Sequence, residues 1–140
     1  MIRVFIGIVL FITVGGCGIT ANDAVKVTNV SGAILEAADD SLAKAVEVST
    51  SGGETQPSEA LLKANEALQE ARSEHQLLHL GAEIWLASDD PNFWFEQAPC
   101  MANKLLDLGK SYNAANVELS LPITHGVSLL RSLSRGACSP

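Results

Sequence analysis

An all-α fold, a small helical bundle organised around one long central helix, follows from three features of this 140-residue chain. Apolar residues recur in alternating steps of three and four over some thirty positions after Ser58, the period of one helix face. Two further segments repeat the pattern over shorter stretches, and the period-two alternation of a strand appears only briefly, near the C-terminus. The hydrophobic fraction of 47% with charged residues at 18% then provides enough apolar surface for one core.

The elements are taken in chain order. From Val30 to Val48 the residues Ala33, Leu35, Ala38, Leu42 and Val46 fall at near-helical spacing, which predicts a first helix. Ser49 to Pro57 reads STSGGETQP, and Gly52, Gly53 and Pro57 break any regular element there, so residues 49–57 are expected to be a linker. Ser58 suits an N-cap, and the helix after it runs to about Ser88 with Leu61, Ala64, Leu68, Ala71, His75, Leu78, Ala82 and Trp85 as its stripe. That stripe fits a partner helix crossing at a shallow angle, while Lys63, Glu66, Glu70 and Glu74 lie off it. Asp89 to Asn92 forms a turn. Pro99 is placed in the first turn of a third helix reaching about Ala114, with Met101, Leu105, Leu108 and Tyr112 on its buried face. Val117, Leu119, Leu121 and Ile123 alternate with polar residues, giving a short extended segment. A last short helix covers about Val127 to Ser134.

Charge and motif content exclude several functions. With 16 acidic and 9 basic side chains the net charge is −7, which does not suit a nucleic-acid partner, because phosphates require a basic face. There is no P-loop, dinucleotide fingerprint, nucleophile elbow or paired CxxC. His125 has no neighbouring carboxylate in sequence, so no catalytic residues are assigned and an enzyme is not expected. The Asn29-Val30-Ser31 sequon matters only for a eukaryotic secretory source. Fourteen acidic and four basic residues lie between Cys17 and Gln97, against two and four beyond, so attraction between the two parts within the chain is the simplest use of the asymmetry.

The N-terminus carries the strongest signal. Residues 1–17 read MIRVFIGIVLFITVGGC: Arg3 provides a positive start, and Val4 to Val14 form an apolar run of 11 residues. As a helix that run is roughly 16 Å long, half the thickness a spanning helix must cross, and it fits the apolar region of a secretory signal. The segment resembles the signal peptides of bacterial lipoproteins: Val14 matches the aliphatic position of their lipobox, Gly15 and Gly16 the small pair, and Cys17 the lipidated residue. The resemblance is confined to about the first 18 residues. It implies cleavage between Gly16 and Cys17, acyl chains on the Cys17 sulfur and new amine, and a membrane anchor. Gly18 stands where an inner-membrane retention signal has Asp, which favours the outer membrane if the source is Gram-negative. Two alternatives remain at this stage: ordinary signal peptidase cutting after Gly18 or Thr20 to release a periplasmic or secreted protein, and an uncut anchor from Val4 to Ile19.

On the lipoprotein reading, residues 1–16 are signal peptide, 17–28 are the lipidated cysteine and a tether, and 29–140 are the helical domain. An oxidising compartment and the even count of Cys100 and Cys138 imply a single disulfide between them.

Two side-chain groups are candidates for function. Trp85, Phe93, Trp94 and Phe95 fall within eleven residues. Three consecutive aromatics cannot all face one core, so a partner contact is expected here, with Trp94 the most displayed; the alternative is a plug over the end of the helix pair. His75, His79 and Glu83 stand on successive turns at metal-ligand spacing. The stretch His75-Gln76-Leu77-Leu78-His79 resembles the zinc hydrolase motif H-E-x-x-H, but Gln76 replaces the Glu general base, and an amide cannot take a proton from zinc-bound water. Zinc is therefore not expected, and the other reading packs His75 in the helix seam with His79 at its border. The function expected overall is a non-catalytic lipoprotein of the cell envelope with an interaction, assembly or accessory role toward an envelope protein. The alternative is a soluble periplasmic metal or small-ligand binder.

Overall fold

The first helix starts at a capping box immediately after Ile19. In this computed structural model, which describes residues 19–53, 56–119, 121–133 and 138, Thr20 Oγ1 accepts from the Asp23 amide at 3.2 Å and Asp23 Oδ2 accepts from the Thr20 amide at 2.9 Å. Two orphan amides of the helix start are thereby satisfied. The Thr20 amide also holds the Asp23 carboxyl below the usual carboxylate range. Helix α1 then runs Ala21–Ser51 and buries Ala24, Val27, Thr28, Ser31, Ile34, Leu35, Ala38 and Leu42 along one face. Residues 21–28, expected to belong to a tether, are instead the first two turns of α1, where Ala24, Val27 and Thr28 bury against the bundle.

Helix α2, Glu59–Ser88, is capped by Ser58 Oγ, which accepts from the Leu61 amide at 3.3 Å. Its expected stripe is buried at Leu61, Ala64, Leu68, Ala71, Leu78, Ala82 and Trp85. It ends at Asp89, whose left-handed backbone (φ 55°) turns the chain while its amide bonds the Trp85 carbonyl at 2.9 Å. Helix α3 is Asn92–Ala114, and so starts seven residues before Pro99, which sits inside it. An interior proline costs about 3 kcal/mol, but full burial of large apolar side chains contributes about 1.5–3 kcal/mol each. The residues gained, Trp94, Phe95 and Ala98, continue the buried face of Met101, Leu105, Leu108 and Tyr112 at helical spacing.

Residues 115–119 leave α3 without pairing as a strand; Val117 is buried and its amide bonds the Tyr112 carbonyl at 2.9 Å. Helix α4 is Ile123–Leu133, beginning four residues earlier than expected because Ile123, Val127 and Leu130 form one inward face. Among the described residues there are four helices and no strand. Consecutive helices pack on one another, and α4 closes the ring against α1, giving a four-helix bundle. Cys100 in α3 and Cys138 form a disulfide across 38 residues.

Two close fits fix the helix pairs. A Cβ on Gly81 would lie 2.8 Å from Trp94 Cα, so α2 and α3 approach where α2 has no side chain. Tyr112 Oη donates to the Ala38 carbonyl at 2.7 Å, tying α3 to α1, and burial pushes its pKa up to about 12. Ion pairs Arg72–Asp39 (3.3 Å) and Lys104–Glu70 (3.0 Å) cross the outer seams, the second joining a basic residue of the C-terminal third to the acidic α2.

Candidate functional site

The aromatic run and the His75 cluster meet α1 along a single line of polar side chains. Trp94 is 0% exposed, the reverse of the display expected for it, and Trp85 and Phe95 are also buried. Their ring centroids lie 5.4–6.1 Å apart, with Trp94 and Phe95 edge to face at 83°. Trp94 turns inward because Gly81 leaves room for its backbone and Thr28 accepts its indole N–H at 3.1 Å. Phe93, half-buried beside Gly81, is the most accessible of the four. The group is the plug of the α2–α3 end.

One turn along α1 from Thr28, Ser31 Oγ lies 2.8 Å from the Thr28 carbonyl and 3.2 Å from His75 Nδ1. A hydroxyl has one proton, and here it is given to the carbonyl; His75 Nδ1–H is then the donor to Ser31. In the neutral ring the proton then sits on Nδ1 and the lone pair on Nε2, beside Gly32, whose Cβ, if present, would lie 3.3 Å away. Burial holds the His75 pKa below its ordinary value, with His79 adding to the effect. The rings of His75 and His79 stack at 6.5 Å between centroids, and His79 Nε2 pairs instead with Glu83 at 3.1 Å. Among the described residues no three His, Cys, Asp or Glu side chains are grouped to hold a metal ion. The seam and border positions weighed for the two histidines are the ones they occupy.

His75 forms one wall of a cleft of about 860 Å³ between α1 and α2. Asn29 and Glu36 face it from α1, and Arg72, Ser73 and Gln76 from α2. Arg72 is committed in part to Asp39. The cleft offers one cation, one carboxylate, an imidazole lone pair and several amide and hydroxyl groups. That set can hold a small polar ligand by hydrogen bonds.

Sequence reasoning passed over Thr28, Ser31 and Arg72. The signal was present: Ala24, Thr28, Ser31, Leu35, Ala38 and Leu42 continue one three-and-four stripe, and a Ser or Thr on such a stripe needs an internal partner. Cys17 and Gly16 lie outside the described residues; the nearest described backbone is that of Ile19. No family model, curated protein or solved structure matches this chain.

Proposed function

We propose that this protein is a non-catalytic lipoprotein of the bacterial cell envelope, held to the membrane by acyl groups on Cys17 and presenting an acidic helical bundle to an envelope protein. The carrying observation is the run VLFITVGGC at residues 9–17, an apolar stretch ending in an aliphatic residue, two glycines and a cysteine. The Thr20 cap is compatible with it: helix α1 starts at Ala21, four residues after Cys17, so cleavage before Cys17 leaves the helix intact. Multiple acyl chains, at about 0.8 kcal/mol per buried CH₂, give a stable anchor. With Trp85, Trp94 and Phe95 buried and Phe93 only half-exposed, the contact region moves to the outer face of α2, where Leu77 and Leu80 stand exposed one turn apart. The outer membrane is favoured by Gly18 if the source is Gram-negative.

The second reading, a soluble periplasmic small-ligand binder, is favoured by the polar cleft at His75. Intact mass of the protein isolated from its native host separates the two. A chain starting at Cys17 with diacyl or triacyl adducts is the expected result. An unmodified chain starting after Cys17 overturns the anchor and makes ligand binding in the cleft the leading reading.

A further inference from the structure

A second groove, of about 320 Å³, lies on the opposite side of α1 from the polar cleft, between α1 and α4. Ile19, Val27 and Val30 form one wall and Leu129 and Leu133 the other, with Asp23 and Lys26 the polar residues beside it. The Asp23 carboxylate accepts from the Thr20 amide and hydroxyl, which holds one of its oxygens at the mouth of the groove. A lining of this kind offers almost no hydrogen bonds and suits an aliphatic occupant.

We propose that this groove holds one of the acyl chains carried by Cys17. The inference rests on the lipoprotein reading and names where the lipid goes. Three observations support it. The groove opens at Ile19, and Cys17 is two residues away, a span of at most about 7 Å. From Ile19 the wall runs on along the first ten residues of α1 to Val30, about 15 Å of helix, close to the roughly 15 Å that acyl chains cover in half a bilayer core. Its far wall is complementary: Leu129 and Leu133 stand four apart on α4, both partly exposed, and both pack at the edge of the core. One acyl chain along the groove leaves the others to enter the membrane. The bundle then lies against its own lipid, and membrane affinity is lower than three free chains would give.

The test uses host cells grown on palmitate bearing a photoactivatable diazirine, irradiated before lysis, followed by purification of the full chain and tryptic mass mapping. Acyl adducts are expected in the peptides covering 27–44 and 111–131, which hold Val30 and Leu129. A double variant, Val30→Asn with Leu129→Asn, is expected to lower those adducts about tenfold while Cys17 keeps its acyl mass. Leu62→Asn, exposed on α2 away from the groove, is the control and leaves the adducts unchanged. Acylated Cys17 with adducts spread evenly over the chain, or unaffected by the double variant, overturns the groove assignment and leaves the anchor standing. Absence of acyl mass on Cys17 overturns the anchor itself, and the groove assignment falls with it.

Discussion

Trp94 and Thr28 are joined by a buried hydrogen bond, Nε1–H to Oγ1 at 3.1 Å, that links α3 to α1 across 66 residues of sequence. Thr28 Oγ1 passes its own proton to the Ala24 carbonyl at 2.7 Å, so the threonine serves as acceptor and donor at once. Replacing Thr28 by Val keeps the shape and strands the indole N–H, at a cost of about 1–3 kcal/mol. Adding Trp94→Phe removes the stranded donor but opens a cavity, so the two losses should combine less than additively. Urea unfolding of both singles and the double is the check; strict additivity would mean the bond contributes nothing.

His75 predicts a pH dependence. Its folded pKa lies below the ordinary 6.5, because burial disfavours the imidazolium. Between the folded pKa and 6.5 the unfolded chain therefore binds more protons, and stability rises with pH. The contribution is present above 6.5 and is lost as pH falls toward the folded value. Denaturant midpoints measured from pH 7.5 to 5 should decline, and His75→Gln should flatten the decline. An unchanged slope in that variant would remove His75 as the cause.

Glu74, the next residue, has the opposite sign. Its Oε1 is buried without a hydrogen-bond partner, and burial raises its pKa against the weaker pull of Lys104. The folded state holds this proton more tightly, so its contribution is present below pH 4.5 and lost as pH rises through the folded value. Glu74→Gln should accordingly stabilise the protein at pH 7 and give no advantage at pH 4. Thermal melts at the two pH values decide it; a gain at pH 4 as large as at pH 7 would point to a cause other than ionisation.

Alanine at Gly81 and at Gly126 should differ. In an open helix either change would stabilise by about 1 kcal/mol. At Gly81 the new Cβ meets the Trp94 backbone at 2.8 and 2.9 Å, which cannot yield without moving α3, so a net loss of about 1–3 kcal/mol is expected. At Gly126 the nearest atom is Ile34 Cδ1, the far end of a flexible side chain, and the loss should be smaller. Chemical denaturation of the two variants ranks them; the reverse order would refute the close approach at Gly81.

Reduction of the Cys100–Cys138 bridge, which closes 38 residues, should destabilise by about 4 kcal/mol on the chain-entropy model. Unfolding with and without reductant measures it. A midpoint indifferent to reductant would mean the bridge is not formed in solution.

The parts of the fold legible in the sequence are those where burial follows one period without interruption. Leu61 to Trp85 is such a run, and its stripe is buried as spaced, apart from the half-buried His75. The misplaced boundaries share a cause: local rules were overruled by packing. Pro99 reads as a helix start, yet Trp94 and Phe95 carry the helix seven residues upstream because their burial outweighs the proline. Thr20 to Thr28 reads as polar and loose, although Thr20 and Asp23 hold a capping pattern with Asp in the place of Glu or Gln. The inward turn of Trp94 has no local signal. Three aromatics in a row gave no sign of which would turn inward, and the deciding residues, Gly81 and Thr28, lie 13 and 66 positions away.

The start of α1 at Ala21 sets a reach. Three residues lie between Cys17 and the first residue of α1, so on the proposed attachment at Cys17 the bundle would be held close to the membrane surface. Helix α1, at 31 residues, is about 46 Å long. Anchored at Cys17, the domain could therefore meet only partners that come within about one helix length of the same membrane face. Its orientation there would be set by the first turn of α1 rather than by a leash.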